Sequence, residues 1–128
     1  MKQPLHKKIL SPARLVRSFK YAFNGLTILV KEEQNYVVHL TTATIVVILG
    51  FYYKISSIEW IVLVLAIQFV LTLETINTAI ENLADFVSAE RNDKIMRIKD
   101  LAAAGVLIAA LTAMIIGLII FLPKMFGW

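Results

Sequence analysis

The chain of 128 residues contains no cysteine, which excludes a disulfide framework, a thiolate metal site and a cysteine nucleophile. Glycine is scarce, and the five present (Gly25, Gly50, Gly105, Gly117 and Gly127) form neither G-x-x-x-x-G-K-[ST] nor G-x-G-x-x-G, so no standard phosphate loop is encoded. There are three prolines, and neither proline nor glycine interrupts residues 58–87. Charged residues make up 17% of the chain and hydrophobic residues 59%, with a mean hydropathy of +0.75. That is too apolar for a soluble domain of this length and enough for about three membrane spans. A net charge of +4 could suggest nucleic acid, but the basic residues are dispersed between hydrophobic segments and follow membrane topology, so nucleic acid is set aside.

Lys2, Lys7 and Lys8 precede any apolar run long enough for a signal-peptide core, so an uncleaved, cytosolic N-terminal tail is expected. Ser11-Pro12 reads as a helix cap and first turn. From there to Glu32, Leu15, Phe19, Ala22, Phe23, Leu26 and Val30 recur at spacings of 3 and 4 among Arg14, Arg17 and Lys20. This predicts an amphipathic helix over 11–32 lying at the membrane interface, although a soluble core helix would show the same period.

Spans are predicted over 35–53, 58–87 and 99–122, giving one all-α integral-membrane domain over 1–128. The first span carries His39 and a run of threonines whose hydroxyls can bond back to the helix backbone. Lys54 to Ser57 makes a tight connection, and Glu59-Trp60 anchors the next helix at an interface. Ser88 to Ile98 reads as a polar connection with some helical character. Gly105, Ala109, Ala113 and Gly117 form a small-residue ridge along which another helix can pack. Pro123 is expected to end the last helix. Seven basic residues precede the first span, one lies between spans one and two, four between two and three, and one follows. The positive-inside rule then puts the N-terminus and second connection in the cytoplasm and the C-terminus outside.

The second span holds the anomaly. At 100° per residue, Glu74, Asn77, Glu81 and Asp85 fall within a narrow arc of one helix face, with Thr78 beside them. Ionisable groups within a span are costly unless partnered and mark function by default. The structural alternative is polar helix-to-helix glue. Counted from Ile58, Glu74 lies roughly 24 Å and Glu81 roughly 35 Å along the helix, so the acidic face runs from hydrocarbon into headgroups. Carboxylates at Glu33 and Glu81 are hard ligands suited to Mg²⁺, which takes one or two carboxylates plus water and phosphate oxygens. Phosphoryl transfer needs in addition a cationic contact such as Lys99 and a carboxylate to accept a hydroxyl proton, for which Glu74 has the depth. Asp85 is equally readable as solvating a helix end, and His39 with Asn35 as an interhelical hydrogen-bonding pair.

The run Glu74-Thr75-Ile76-Asn77-Thr78-Ala79-Ile80-Glu81, followed by Lys99-Asp100-Leu101-Ala102-Ala103-Ala104-Gly105, resembles the small bacterial diacylglycerol kinase/undecaprenol kinase family. The likeness extends to Ser18-Phe19-Lys20-Tyr21-Ala22 with Gly25, to Glu33-x-Asn35-x-x-x-His39 and to Ile116 through Lys124. It implies a homotrimeric, ATP- and Mg²⁺-dependent lipid kinase of the bacterial inner membrane, with active sites near the cytoplasmic interface. It further implies Glu74 as proton acceptor, Asn77 as a positioning group, and Glu33 and Glu81 as metal ligands. Lys99, Asp100, Tyr21, Arg14 and the connection Glu90-Arg91-Asn92 would contact nucleotide. The entrance to span one and the C-terminal run are more similar to the undecaprenol kinase branch, which ranks undecaprenol before diacylglycerol as acceptor. A small proton-coupled exporter would also keep a buried glutamate, but would not need Lys99-Asp100, Asn77 and a second carboxylate.

Overall fold

The computed structural model describes residues 11–128, so the expectation for the basic tail lies outside the described residues. Four helices follow one another: α1 (Pro12–Glu32), α2 (Gln34–Tyr52), α3 (Ser57–Val87) and α4 (Asp93–Phe126). Three of them, α2, α3 and α4, are long and apolar enough to cross a membrane. The protein is an all-helical membrane protein, and α3 and α4 form its main antiparallel pair.

Helix α1 starts at Ser11 with Pro12 in its first turn, where the missing proline N–H costs nothing. Of its apolar residues only Leu29 is buried by the chain itself, while Leu15, Phe19, Phe23, Leu26 and Val30 stay exposed. A single residue, Glu33, with φ −108° and ψ 102°, separates α1 from α2 and breaks the helical path. In α2 the hydroxyls of Thr41, Thr42 and Thr44 donate to the carbonyls of Val37, Val38 and Leu40 at 2.8 to 2.9 Å, so these polar groups are satisfied within their own helix.

The turn between α2 and α3 is the best-packed part of the molecule. Lys54 adopts a left-handed conformation (φ 50°), and Ser56 with Glu59 then closes a reciprocal capping box on α3. Beneath it Ile55, Leu63, Ile120 and Phe121 form the apolar core, with Tyr53, Trp60 and Ile116 packed against it. Trp60 lies so close to Gly50 that an added Cβ would sit 2.6 Å from the indole Cη2. Lys124 and Glu59 pair at 2.7 Å, joining the last turn of α4 to the first turn of α3.

Helix α4 departs from the sequence expectation at both ends. It begins at Asp93 rather than Lys99, because the Asn92 side chain accepts from the N–H groups of Lys94 and Ile95 and satisfies two donors of the first turn. The charged residues read as a connection are therefore mostly helix, leaving a loop of Ser88 to Asn92. Pro123 does not end the helix, which continues to Phe126. Proline forgoes one bond, to the carbonyl four residues earlier, and Gly127 at φ 68° supplies the left-handed cap, with the Trp128 N–H bonded to the Pro123 carbonyl at 2.8 Å. On the small-residue ridge Ala109 is 1% exposed, but a Cβ at Gly105 or Gly117 would meet nothing within 4 Å. Close approach within the chain is thus concentrated at Ala109.

Candidate active site

Further along α3 from the apolar core, polar side chains are buried. Glu74 is 2%, Asn77 6% and Thr78 5% exposed, the buried polar side chains among the described residues. Spacings of three and four place them on one face of α3. The Asn77 amide donates to Glu81 Oε1 at 3.3 Å, tying the half-buried Glu81 to the buried part of the face. Asn77 Oδ1 and Thr78 Oγ1 have no hydrogen-bonding partner. Buried polar atoms left this way cost about 1–3 kcal/mol each, so a region holding two of them is built for something other than stability.

Glu33 at the α1–α2 joint, His39 on α2 and Glu81 on α3 lie near enough to Glu74 to act on it electrostatically. The position of Glu33 follows from the break in the chain: it precedes α2, yet its side chain makes no capping hydrogen bond, which leaves the carboxylate free. Among the described residues no three His, Asp or Glu side chains come together as a ready metal cage. The two carboxylates Glu33 and Glu81 suit a hard cation whose remaining ligands are water and phosphate oxygens.

Lys99 is engaged by the Asp85 carboxylate across the α3–α4 pair. Asp100 is exposed beside it, and Glu90, Arg91 and Asn92 are exposed on the short connection, where the Asn92 side chain already serves as the cap of α4. Arg14 and Tyr21 stand exposed on α1. The fold thus sets Glu74, Asn77 and Glu81 on one face of α3, joins Lys99 to Asp85, and leaves Arg14, Tyr21 and the connection at the surface. Thr78, noted only as lying beside the acidic face, has an unpaired hydroxyl that no spacing rule reveals.

Between α1 and α3 runs an apolar groove of about 500 Å³, walled by Ala22, Gly25, Leu26 and Leu29 on one side and by Thr75, Thr78, Ala79 and Asn82 on the other. A buried polar face thus lies beside an apolar groove, on helices long enough to span a bilayer, and these are the features of a membrane-embedded site. A family model described as prokaryotic diacylglycerol kinase matches residues 20–121, and the chain belongs to that family of lipid kinases. It is similar to the undecaprenol kinase of Bacillus subtilis (strain 168), at 38% identity over 88% of this chain and 91% of the relative. It is also similar to the diacylglycerol kinase of Synechocystis sp. (strain ATCC 27184 / PCC 6803 / Kazusa), at 32% identity over 97% of this chain and 72% of the relative. The diacylglycerol kinase of Escherichia coli (strain K12) is 26% identical over 80% of this chain and 84% of its own length.

Proposed function

We propose that the chain transfers the γ-phosphate of ATP to the hydroxyl of undecaprenol at the cytoplasmic face of the bacterial inner membrane. The observation that carries this reading is the buried Glu74, set with Asn77 and Thr78 next to an apolar groove. The groove accepts the chain of a lipid alcohol and brings its hydroxyl to Glu74, which takes the proton as the oxygen attacks the γ-phosphorus. The bond to the bridging oxygen breaks and ADP leaves. Asn77 bonds Glu81 and orients the acidic face. Lys99 and Asp100 meet the nucleotide from the cytosol, with Arg14, Tyr21, Glu90, Arg91 and Asn92 at its margins. A Mg²⁺ ion held by Glu33 and Glu81 would neutralise phosphate charge when bound.

Orientation follows the charge asymmetry, with the α3–α4 connection inside and Trp128 outside. Helix α1 lies in the interface with its uncovered apolar residues in lipid. The working unit is a homo-oligomer, a trimer by family resemblance. Support for self-association comes from α3, where Gln68 is exposed about 16 Å along the helix from Ser57, near the midplane of a bilayer core of about 30 Å. An amide there needs a partner, which another copy inserted to the same depth supplies.

Undecaprenol is ranked first because the relative of that name shares 38% identity over nearly its whole length. Diacylglycerol is the second reading, carried by the relatives named for it. The test is phosphate transfer from ATP to each purified alcohol in one detergent. Preference for diacylglycerol replaces the first reading with the second, and transfer to neither rejects both.

A further inference from the structure

Thr27, Thr41, Thr42, Thr44, Thr75 and Thr112 each return the side-chain hydroxyl to the carbonyl four residues earlier, at 2.8 to 3.0 Å. That bond is the default solution for a helical threonine in an apolar medium. Thr78 does not make it: its Oγ1 is buried without a partner, while the residue as a whole is 5% exposed. The same side chain contributes to the wall of the groove between α1 and α3. It also lies one helical turn from Glu74, on the same face.

We infer that the Thr78 hydroxyl binds the oxygen-bearing end of the acceptor lipid, fixing the alcohol beside Glu74. The rest of the groove is apolar where it faces α1, with Ala22, Leu26 and Leu29 able to grip hydrocarbon but unable to orient a hydroxyl. An unsatisfied hydroxyl enclosed just behind such a wall provides what the apolar side chains cannot, a directional contact made when the side chain turns toward an arriving polar group. Its counterpart is Gly25, where an added Cβ would meet nothing within 4 Å. Gly25 lines the groove, so a larger side chain there has that open space to occupy. Thr78 sets where the alcohol stops, and Gly25 leaves the space for its chain.

The inference rests on the lipid-kinase reading of this site, and the experiment separates the two. Thr78→Val keeps the side-chain shape and deletes the hydroxyl. Because that hydroxyl is unpaired in the free protein, its loss should leave the unfolding temperature unchanged or raise it. The KM for the lipid alcohol, measured with undecaprenol and with diacylglycerol in the same mixed micelles, should rise about tenfold, the size of one hydrogen bond. The KM for ATP should not move, and Thr78→Ser should restore the parent acceptor KM. Gly25→Leu should likewise raise the acceptor KM without changing that for ATP. An unchanged acceptor KM in an active Thr78→Val protein overturns the inference and leaves the kinase reading intact. So does a lowered unfolding temperature with both KM values shifted, which marks a structural role. Transfer to neither alcohol by the parent protein removes the kinase reading and the inference together.

Discussion

Lys99 on α4 reaches across the helix pair to the Asp85 carboxylate on α3, with the two side chains 33% and 62% exposed. An ion pair this open to water contributes at most about 1 kcal/mol, little beside the attraction of a triphosphate for the same ammonium. On the proposed role of Lys99, nucleotide takes it from Asp85 at small cost. Asp85→Asn should change the KM for ATP by less than about fivefold, whereas Lys99→Met should raise it by about tenfold or more at low ionic strength. Equal effects from the two variants would mean that Asp85 itself contributes to nucleotide binding.

Glu74 and Glu81 are two turns apart on one face and differ in burial, 2% against half-buried. With Glu74 as proton acceptor, Glu74→Gln should cut kcat by orders of magnitude while nucleotide binding persists. Glu81→Gln should abolish turnover and weaken Mg²⁺-dependent nucleotide binding as well. The measurement is nucleotide binding by calorimetry beside steady-state turnover for both variants. Recovery of Glu74→Gln turnover at high ATP would make Glu74 a binding residue.

Packing at the other end of the molecule makes a separate prediction. A Cβ on Gly50 would lie 2.6 Å from Trp60, so Gly50→Ala forces the indole or the backbone to shift. Overpacking of that kind costs about 1–3 kcal/mol. The thermal unfolding temperature in detergent should fall while the KM values for ATP and lipid stay at parent levels. Unchanged unfolding would show that Trp60 moves aside freely.

A chain without cysteine allows self-association through α3 to be read directly. Gln68→Cys should form disulfide-linked pairs when membranes are oxidised, because copies inserted alike bring the same residue to the same depth. Phe69→Cys, displaced by about 100° around the helix, is the control. Cross-linking at 69 in preference to 68 would assign a different face of α3 to the contact.

Hydrophobic length alone indicated the three spans, and the one-residue joint at Glu33 left α1 and α2 within a residue or two of their expected bounds. Asn92-Asp93 carried a helix-start signal that the surrounding charge obscured, since polarity marks loops and protruding helix ends equally. Pro123 misled in the opposite direction, because a proline can sit inside a helix at the cost of one hydrogen bond, and α4 runs on to Phe126 before Gly127 caps it. Periodicity exposed the alignment of Glu74, Asn77 and Glu81, which lies within one helix. It could not expose Lys99 meeting Asp85, which depends on how α3 and α4 are set against one another, or the idle hydroxyl of Thr78, which depends on its rotamer and burial.

The apolar knot of Ile55, Leu63, Ile120 and Phe121 lies at the end of the bundle remote from Glu81. The helices also pack along their length, with Val70, Ala84, Val106 and Ala109 buried, yet none of the four knot residues walls the groove between α1 and α3. On the proposed reading, substitutions of the groove wall around Gly25 and Thr78 should change which alcohol is accepted at less cost in stability than substitutions around Trp60.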